Sequence, residues 1–283
     1  MDVVERYEAP ETLQEAIELL ASGDALVFAG GTDVMPQIRT GSRELRPILI
    51  NVSHIDVLRG ISRDGTRLRI GALTTVTDIL ESALQKETAP VLVAAADRFA
   101  SGQVRNAATV GGNLGNASPA ADLAIPLLLL DAEVELFSRK RRVVPLTDFF
   151  LGPGRSVLEP GEILTHVQFE VPRNDFTARF VKFGGGTRPA MDISVVSVGV
   201  AGVVAGRALS RVRVALGAAA PTPLRATKTE AFLEGKGLDR ETIAAAAAMA
   251  ETEASPISDV RGSAWYRREL IRTLTRRVLA DVV

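Results

Sequence analysis

The sequence predicts an α+β protein of two domains, and three observations predict it. Helix-periodic and strand-length apolar segments alternate up to Pro172-Arg173-Asn174-Asp175, whose composition marks a boundary. Beyond it, three strand-like runs are followed by about 60 residues of helix-prone sequence, the pattern of a small sheet backed by helices. With 283 residues, 46% of them hydrophobic, the chain is long enough to enclose more than one core. The expected division is 1–173 and 174–283.

Taken in order, Thr12 and Glu15 fit a capping box, and Leu13, Ala16, Ile17 and Leu20 recur at helical spacing before Gly23. The apolar run 25–29 has the length of a buried strand. It ends in Gly30-Gly31-Thr32-Asp33 and leads into a short helix that stops by Gly41, after which Ile48-Leu49-Ile50 reads as a neighbouring strand. Residues 59–62 and 68–71 flank Asp64-Gly65, a hairpin signal, and 76–86 and 90–99 read as two helices. The stretch 105–122 is so rich in Gly, Asn, Ala, Ser and Thr that it reads as one long loop. Residues 123–130 return to the core, 133–137 alternate as a strand, and the Gly152-Pro153-Gly154 turn precedes a strand through 163–171. In the second domain 178–183, 194–204 and 209–216 read as three strands, while 244–248 and 265–278 fall in helices.

Composition narrows the chemistry. Lys and Arg number 33 against 34 for Asp and Glu, so no global field draws the chain to nucleic acid. The absence of cysteine removes disulfides, iron–sulfur ligation and thiolate zinc sites, and two histidines are too few for a His-rich metal centre. Redox chemistry here requires a borrowed organic cofactor. No apolar run approaches the roughly 18 residues of a membrane span, and MDVVERYEAPETL lacks the basic start and apolar core of a signal peptide, so a cytoplasmic location is expected.

Two glycine-rich segments are candidate binding loops. In Ala29-Gly30-Gly31-Thr32-Asp33 a strand gives way to two residues without Cβ atoms, whose N–H groups can turn toward one anion such as a diphosphate. The same residues would also serve a plain strand-to-helix turn capped by Thr32 or Asp33. Thr109-Val110-Gly111-Gly112-Asn113 carries a second Gly-Gly pair, and Asp122 follows ten residues after Gly112, where a carboxylate can accept from a ribose diol. An ordered loop with asparagines in left-handed turns is the alternative there. Neither segment has the glycine spacing of a P-loop or of G-x-G-x-x-G.

AGGTD at 29–33 and TVGGNLGNASPAAD at 109–122 closely resemble the two flavin-binding signatures of the molybdenum hydroxylase FAD-binding subunits, the medium subunit of carbon monoxide dehydrogenase and the flavin domain of xanthine dehydrogenase. IGALTTVTDI at 70–79, SGQVRNAA at 101–108 and FVKFGGGTRPAMDISVV at 180–196 are similar to further stretches of that family in the same order. The resemblance implies a two-part FAD-binding domain of the vanillyl-alcohol oxidase and p-cresol methylhydroxylase type, with subdomains at about 1–55 and 56–173, and a C-terminal domain of a three-stranded antiparallel sheet plus helices. It implies that backbone at 29–32 and 109–113 surrounds the FAD diphosphate, with Asp33 closing the first signature. Ser118 and Asp122 would face polar parts of the cofactor, Leu158 an apolar part, and Lys182 the isoalloxazine, where a cation stabilises anionic reduced flavin. Arg188 and Asp192 read equally well as a structural ion pair. With Thr32 where some relatives of the fold have an attachment histidine, and no cysteine for an added cluster, the expectation is dissociable FAD and no metal in this chain. The implied partners are a large molybdenum-cofactor subunit and a small [2Fe–2S] subunit, as a dimer of heterotrimers. Substrate chemistry would then belong to another polypeptide. The alternative is a stand-alone FAD-dependent oxidase or reductase of the same fold.

Overall fold

The computed structural model describes residues 4–184, 191–206 and 208–282. Arg188, and with it the pairing expected with Asp192, lies outside the described residues. Strands β1 (Arg6–Glu8), β2 (Ala25–Phe28) and β3 (Ile48–Asn51) form a parallel sheet in the order β1-β3-β2, with helices α1 (Leu13–Ala21) and α2 (Val34–Arg39) in the connections. The capping box of α1 is formed: Thr12 Oγ1 accepts from the Glu15 amide, and the Glu15 carboxylate accepts from the Thr12 amide. Ala16 and Ile17 then face Ile48, Ile50 and Val52 in a small core. The 25–29 run differs from its expected burial. β2 is an edge strand and only half-buried, because Val27 and Phe28 border a cleft instead of a covering helix.

A second unit follows with strands β4 (Ile61–Asp64) and β5 (Arg67–Gly71), joined at Gly65 with φ +58° as the Asp64-Gly65 turn requires. Helices α3 (Val76–Glu81), α4 (Ala83–Thr88), α5 (Pro90–Asp97), α6 (Gly102–Arg105), α7 (Val110–Gly115) and α8 (Ala124–Leu129) come next. The single helix expected at 76–86 is broken, because Ser82 leaves the helical conformation and caps α4 through the Gln85 amide. The long loop expected at 105–122 contains α7. Thr109 caps this short helix, and Val110 and Leu114, four apart, bury one face of it in the main core. Strands β6 (Glu133–Phe137) and β7 (Arg141–Pro145), α9 (Leu146–Phe149), the small hairpin β8 (Phe150–Gly152) and β9 (Arg155–Ser156), and β10 (Ile163–Glu170) complete the unit. Its sheet is antiparallel in the order β4-β5-β10-β6-β7.

In the last part, β11 (Phe176–Gly184), β12 (Ser194–Ala205) and β13 (Ala208–Gly217) form the three long antiparallel strands expected. Two-residue strands β14 (Leu224–Arg225) and β15 (Lys236–Gly237) extend the sheet along β13, around helix α10 (Thr227–Leu233). Helices α11 (Arg240–Glu253) and α12 (Ala264–Ala280) follow. β12 is apolar nearly throughout because both its faces are covered. Val196, Val198 and Val200 share a core with α11 and α12, whereas Ala201 belongs to the core that contains α8. Asp131, just after α8, accepts from Arg213 at 2.8 Å and from Arg225 at 2.8 Å, so ion pairs reinforce the same seam. Among the described residues no helix is long and apolar enough to cross a membrane.

A Cβ at Gly199 would lie 2.7 Å from Leu129 Cδ1 and 3.1 Å from Ile125 Cγ2 of α8. Gly199→Val is therefore expected to lower the stability of the chain by about 1–3 kcal/mol through overpacking. Urea unfolding followed by circular dichroism checks this, and an unchanged midpoint would show that the seam yields.

Candidate functional site

The two glycine loops meet at one cleft. The loop after β2 contributes Ala29, Gly30, Gly31, Thr32 and Asp33, and the start of α7 contributes Thr109, Gly111, Gly112 and Asn113. Leu158, from the turn before β10, lines the opposite wall with Phe99 and Leu164. The cleft holds about 1040 Å³ of atom-free space, part of it open to solvent, which is room for a large cofactor. The loops touch backbone to backbone. A Cβ on Gly30 would stand 1.7 Å from the Ala107 carbonyl oxygen, so only glycine permits this approach.

The loops offer different things to a ligand. Gly31 has φ +68°, a conformation that favours glycine, and among the described residues the amides of Gly31, Thr32 and Asp33 have no protein acceptor. These are unspent donors. In the second loop the amides are used: Val110 donates to Thr74 O at 3.0 Å, Gly111 to Ala72 O at 2.8 Å, Gly112 to Thr109 Oγ1 at 3.0 Å and Asn113 to Thr109 O at 2.9 Å. A Cβ on Gly111 would meet Ala72 Cβ at 2.6 Å. The second glycine pair therefore supplies a close-packed wall, and it is the first loop, not the second, that keeps amides without a protein acceptor.

Polar side chains tie the loops together. Asn116 at the end of α7 accepts from Gln37 Nε2 at 3.0 Å and from Arg43 Nη2 at 3.4 Å, and donates to Asp33 Oδ2 at 3.2 Å. Burial raises the Asp33 carboxyl above the usual range, and Arg43 opposes that shift. Glu162 on the far wall is held below the usual range by its hydrogen bonds to Arg142, 2.7 and 2.6 Å long.

Four residues expected at the site do not line this cleft. The Val110 side chain is fully buried in the core because it anchors α7. Ser118 faces an adjoining surface groove with Pro119 and Pro153, which meets the cleft at Arg43 and Asn116, and its hydroxyl accepts from the Ala120 amide. Asp122 and Lys182 are joined to each other: Lys182 Nζ donates to Asp122 Oδ2 at 2.6 Å and to the Arg98 carbonyl at 3.1 Å. The Lys182 side chain is only 2% exposed, so it is neither a strand-edge lysine in water nor a cation open to the cleft. Burial pushes the Asp122 carboxyl up, with Lys182 opposing, and Asp122 Oδ1 is buried without a hydrogen-bond partner. Cleft residues not foreseen include Phe28, Arg43, Phe99, Asn116, Glu162 and Leu164. Asn116 stands inside the resembling segment 109–122 and was within reach of sequence reasoning, whereas Arg43 sits in an unremarked polar turn.

Comparison with known proteins decides the family. The family model described as the FAD binding domain in molybdopterin dehydrogenase matches residues 3–173, and the CO dehydrogenase flavoprotein C-terminal domain matches residues 183–282. The chain belongs to the molybdopterin dehydrogenase FAD-binding family. It is 36% identical over 282 residues to a xanthine dehydrogenase FAD-binding subunit of Escherichia coli, covering 98% of this chain and 95% of that one. It is 32% identical over 277 residues to the carbon monoxide dehydrogenase medium chain of Hydrogenophaga pseudoflava, covering 96% and 95%. The solved structure of carbon monoxide dehydrogenase from Hydrogenophaga pseudoflava lacking the Mo-pyranopterin moiety superposes with a TM-score of 0.95 at 30% identity, over 100% of this chain and 98% of that chain. The chain is thus an FAD-binding subunit of the oxidoreductase class, with the two-part flavoprotein fold anticipated from its motifs. FAD fits what lines the cleft: unspent amides in the first loop, a close wall in the second, and apolar surface at Leu158 and Phe99.

The Asp122–Lys182 pair has a consequence for stability. Lys182→Met leaves the Asp122 carboxyl buried without a counter-charge and is expected to cost about 3–5 kcal/mol at neutral pH. A carboxyl whose folded pKa is raised carries no penalty below the unfolded value near 4, about where aspartate protonates in water, and a growing one as pH rises toward the folded value. The deficit against the native chain should therefore shrink in denaturant melts taken below that pH. Adding Asp122→Asn should recover most of it, and a deficit independent of both changes would rule out the pair as its source.

Proposed function

We propose that the chain takes electrons from a [2Fe–2S] subunit of a molybdenum hydroxylase complex and passes them through FAD to a final acceptor. The observation that carries this is the joining of both glycine loops at one cleft in a chain that resembles the carbon monoxide dehydrogenase medium chain over nearly its whole length. When bound, FAD supplies the chemistry that accepts electrons singly and releases them singly or in pairs. The chain's own residues bind and orient it. The amides of Gly31, Thr32 and Asp33 donate to the diphosphate, Ala29 and Gly30 let the backbone come close, and Thr109, Gly111, Gly112 and Asn113 fix the facing wall. Leu158 and its apolar neighbours exclude water from a ring. Asp122 and Lys182, which pair outside the cleft lining, act by bracing the segment that follows α7 against β11. In this reading Val110 acts only through α7, and Ser118 only through the 117–122 turn.

The proposed partners are a large molybdenum-cofactor subunit and a small [2Fe–2S] subunit, arranged as a dimer of heterotrimers, with no metal in this chain. Residues 1–173 would form the FAD unit and 174–283 the C-terminal unit. Co-purification of the tagged chain followed by metal analysis and mass spectrometry tests this reading. Molybdenum, iron and two further subunits are the expected result, whereas a flavin-loaded chain that never acquires them would favour a stand-alone flavoenzyme.

The FAD is expected to be non-covalent and about one per chain, since no attachment residue stands in either loop. Acid precipitation should release it into the supernatant, and colour retained in the pellet would contradict this. Gly31→Val should abolish flavin retention with little change in far-ultraviolet circular dichroism, because a β-branched residue opposes the positive φ of this loop. Full FAD occupancy in that variant would remove the loop from the site.

A further inference from the structure

The cleft has an unequal charge inventory. Among the described residues that line it, Asp33 and Glu162 are acids and Arg43 is the only cation. Glu162 is already matched by Arg142, which lies behind the wall, so its charge is balanced within the protein. Asp33 has no such partner among the described residues; its hydrogen bond comes from the neutral amide of Asn116. A diphosphate entering between the loops brings further negative charge into a site that is already short of positive charge. Three unspent amides carry only partial charge.

Arg43 is built into the right place. It is half-buried on the turn between α2 and β3 and lines the cleft beside Asn116, where the end of α7 meets the first glycine loop. Its observed hydrogen bond is a long one, 3.4 Å from Nη2 to Asn116 Oδ1, and no carboxylate lies within salt-bridge distance of it among the described residues. The remaining guanidinium N–H groups are therefore available. Burial lowers the Arg43 pKa and Asp33 raises it in return, as for a cation that has lost water without gaining a full partner. A planar guanidinium presents parallel donors that match two phosphate oxygens.

Resting on the reading that this cleft holds FAD, we propose that Arg43 is the counter-charge the chain sets against the cofactor's diphosphate, with Asn116 holding it at the junction of the two loops. The role differs from bracing the loops. A brace acts through shape and would affect every ligand of the cleft at any ionic strength; a counter-charge acts on the phosphates and is screened by salt.

The test uses the full chain stripped of flavin, titrated with FAD by fluorescence quenching at low and high salt, with ADP as competitor. Arg43→Gln is expected to raise the FAD Kd about tenfold at low salt, equivalent to roughly 1.4 kcal/mol. It should weaken ADP competition by a similar factor and flatten the salt dependence. Arg43→Lys keeps the charge but loses the fork, so its Kd should be intermediate and its salt dependence close to that of the native chain. It also guards against a folding failure in the neutral variant. An unchanged Kd in Arg43→Gln would overturn the proposal, as would a raised Kd with native salt dependence, which is the signature of a brace. Failure of the native chain to bind FAD at all would overturn the reading of the cleft itself.

Discussion

The cleft exists because two stretches of main chain from different units are allowed to touch. Gly30 lies against the Ala107 carbonyl and Gly111 against Ala72, each closer than any side-chain-bearing residue tolerates. Of the two, the Gly30–Ala107 contact crosses between the units and sets the distance between the parallel β1-β3-β2 layer and the antiparallel β4-β5-β10-β6-β7 layer, while Gly111–Ala72 seats the second loop within its own unit. Everything else at the site is set by that distance: the edge position of β2, the hydrogen bonds of Asn116 across the gap, and the reach of Arg43 into the cleft. The first loop could keep its amides free because the second loop supplies the packing, its own donors being spent on Ala72 and Thr74.

Charge is handled in two ways around this frame. Toward the interior, Asp122 and Lys182 satisfy each other at 2.6 Å, and the pair ties β11 to the segment that follows α7. Toward the cleft, Asp33 and Arg43 are close enough to influence each other without forming an ion pair. A closed pair stabilises its surroundings only if both members stay, whereas an open arrangement keeps donors for a ligand. The same chain therefore separates groups that hold the fold from groups that remain responsive.

Much of the fold was legible where the code is local. The α1 capping box, the Asp64-Gly65 hairpin and the long strands β11, β12 and β13 follow from caps, turn residues and apolar runs. Legibility failed where tertiary contacts override composition. A segment with three glycines in six residues is a poor helix by propensity, yet α7 forms because Thr109 caps it and strand-end carbonyls receive its first amides. β7 was missed because its exposed arginines mask the alternation, and the helix break at Ser82 because serine can serve equally as interior residue or cap. At the site, the glycines could be read because nothing else fits there. Lys182 could not be placed, since its partner lies 60 residues away and pairing leaves no mark in sequence. Arg43 was invisible for the opposite reason: an arginine in a polar turn looks like any solvated side chain.

Helix α8, with the sequence AIPLLL, is buried along all six of its residues, and part of its cover comes from β12 and β13. Those strands are translated only after both units that precede them. During synthesis a continuous leucine surface must wait, uncovered, for partners still to be translated. The order of translation therefore opens a period in which the nascent chain presents a ready target for chaperones and for aggregation. It also sets a limit on engineering: a truncation after β10 would keep every cleft-lining residue and still carry a permanently uncovered apolar face.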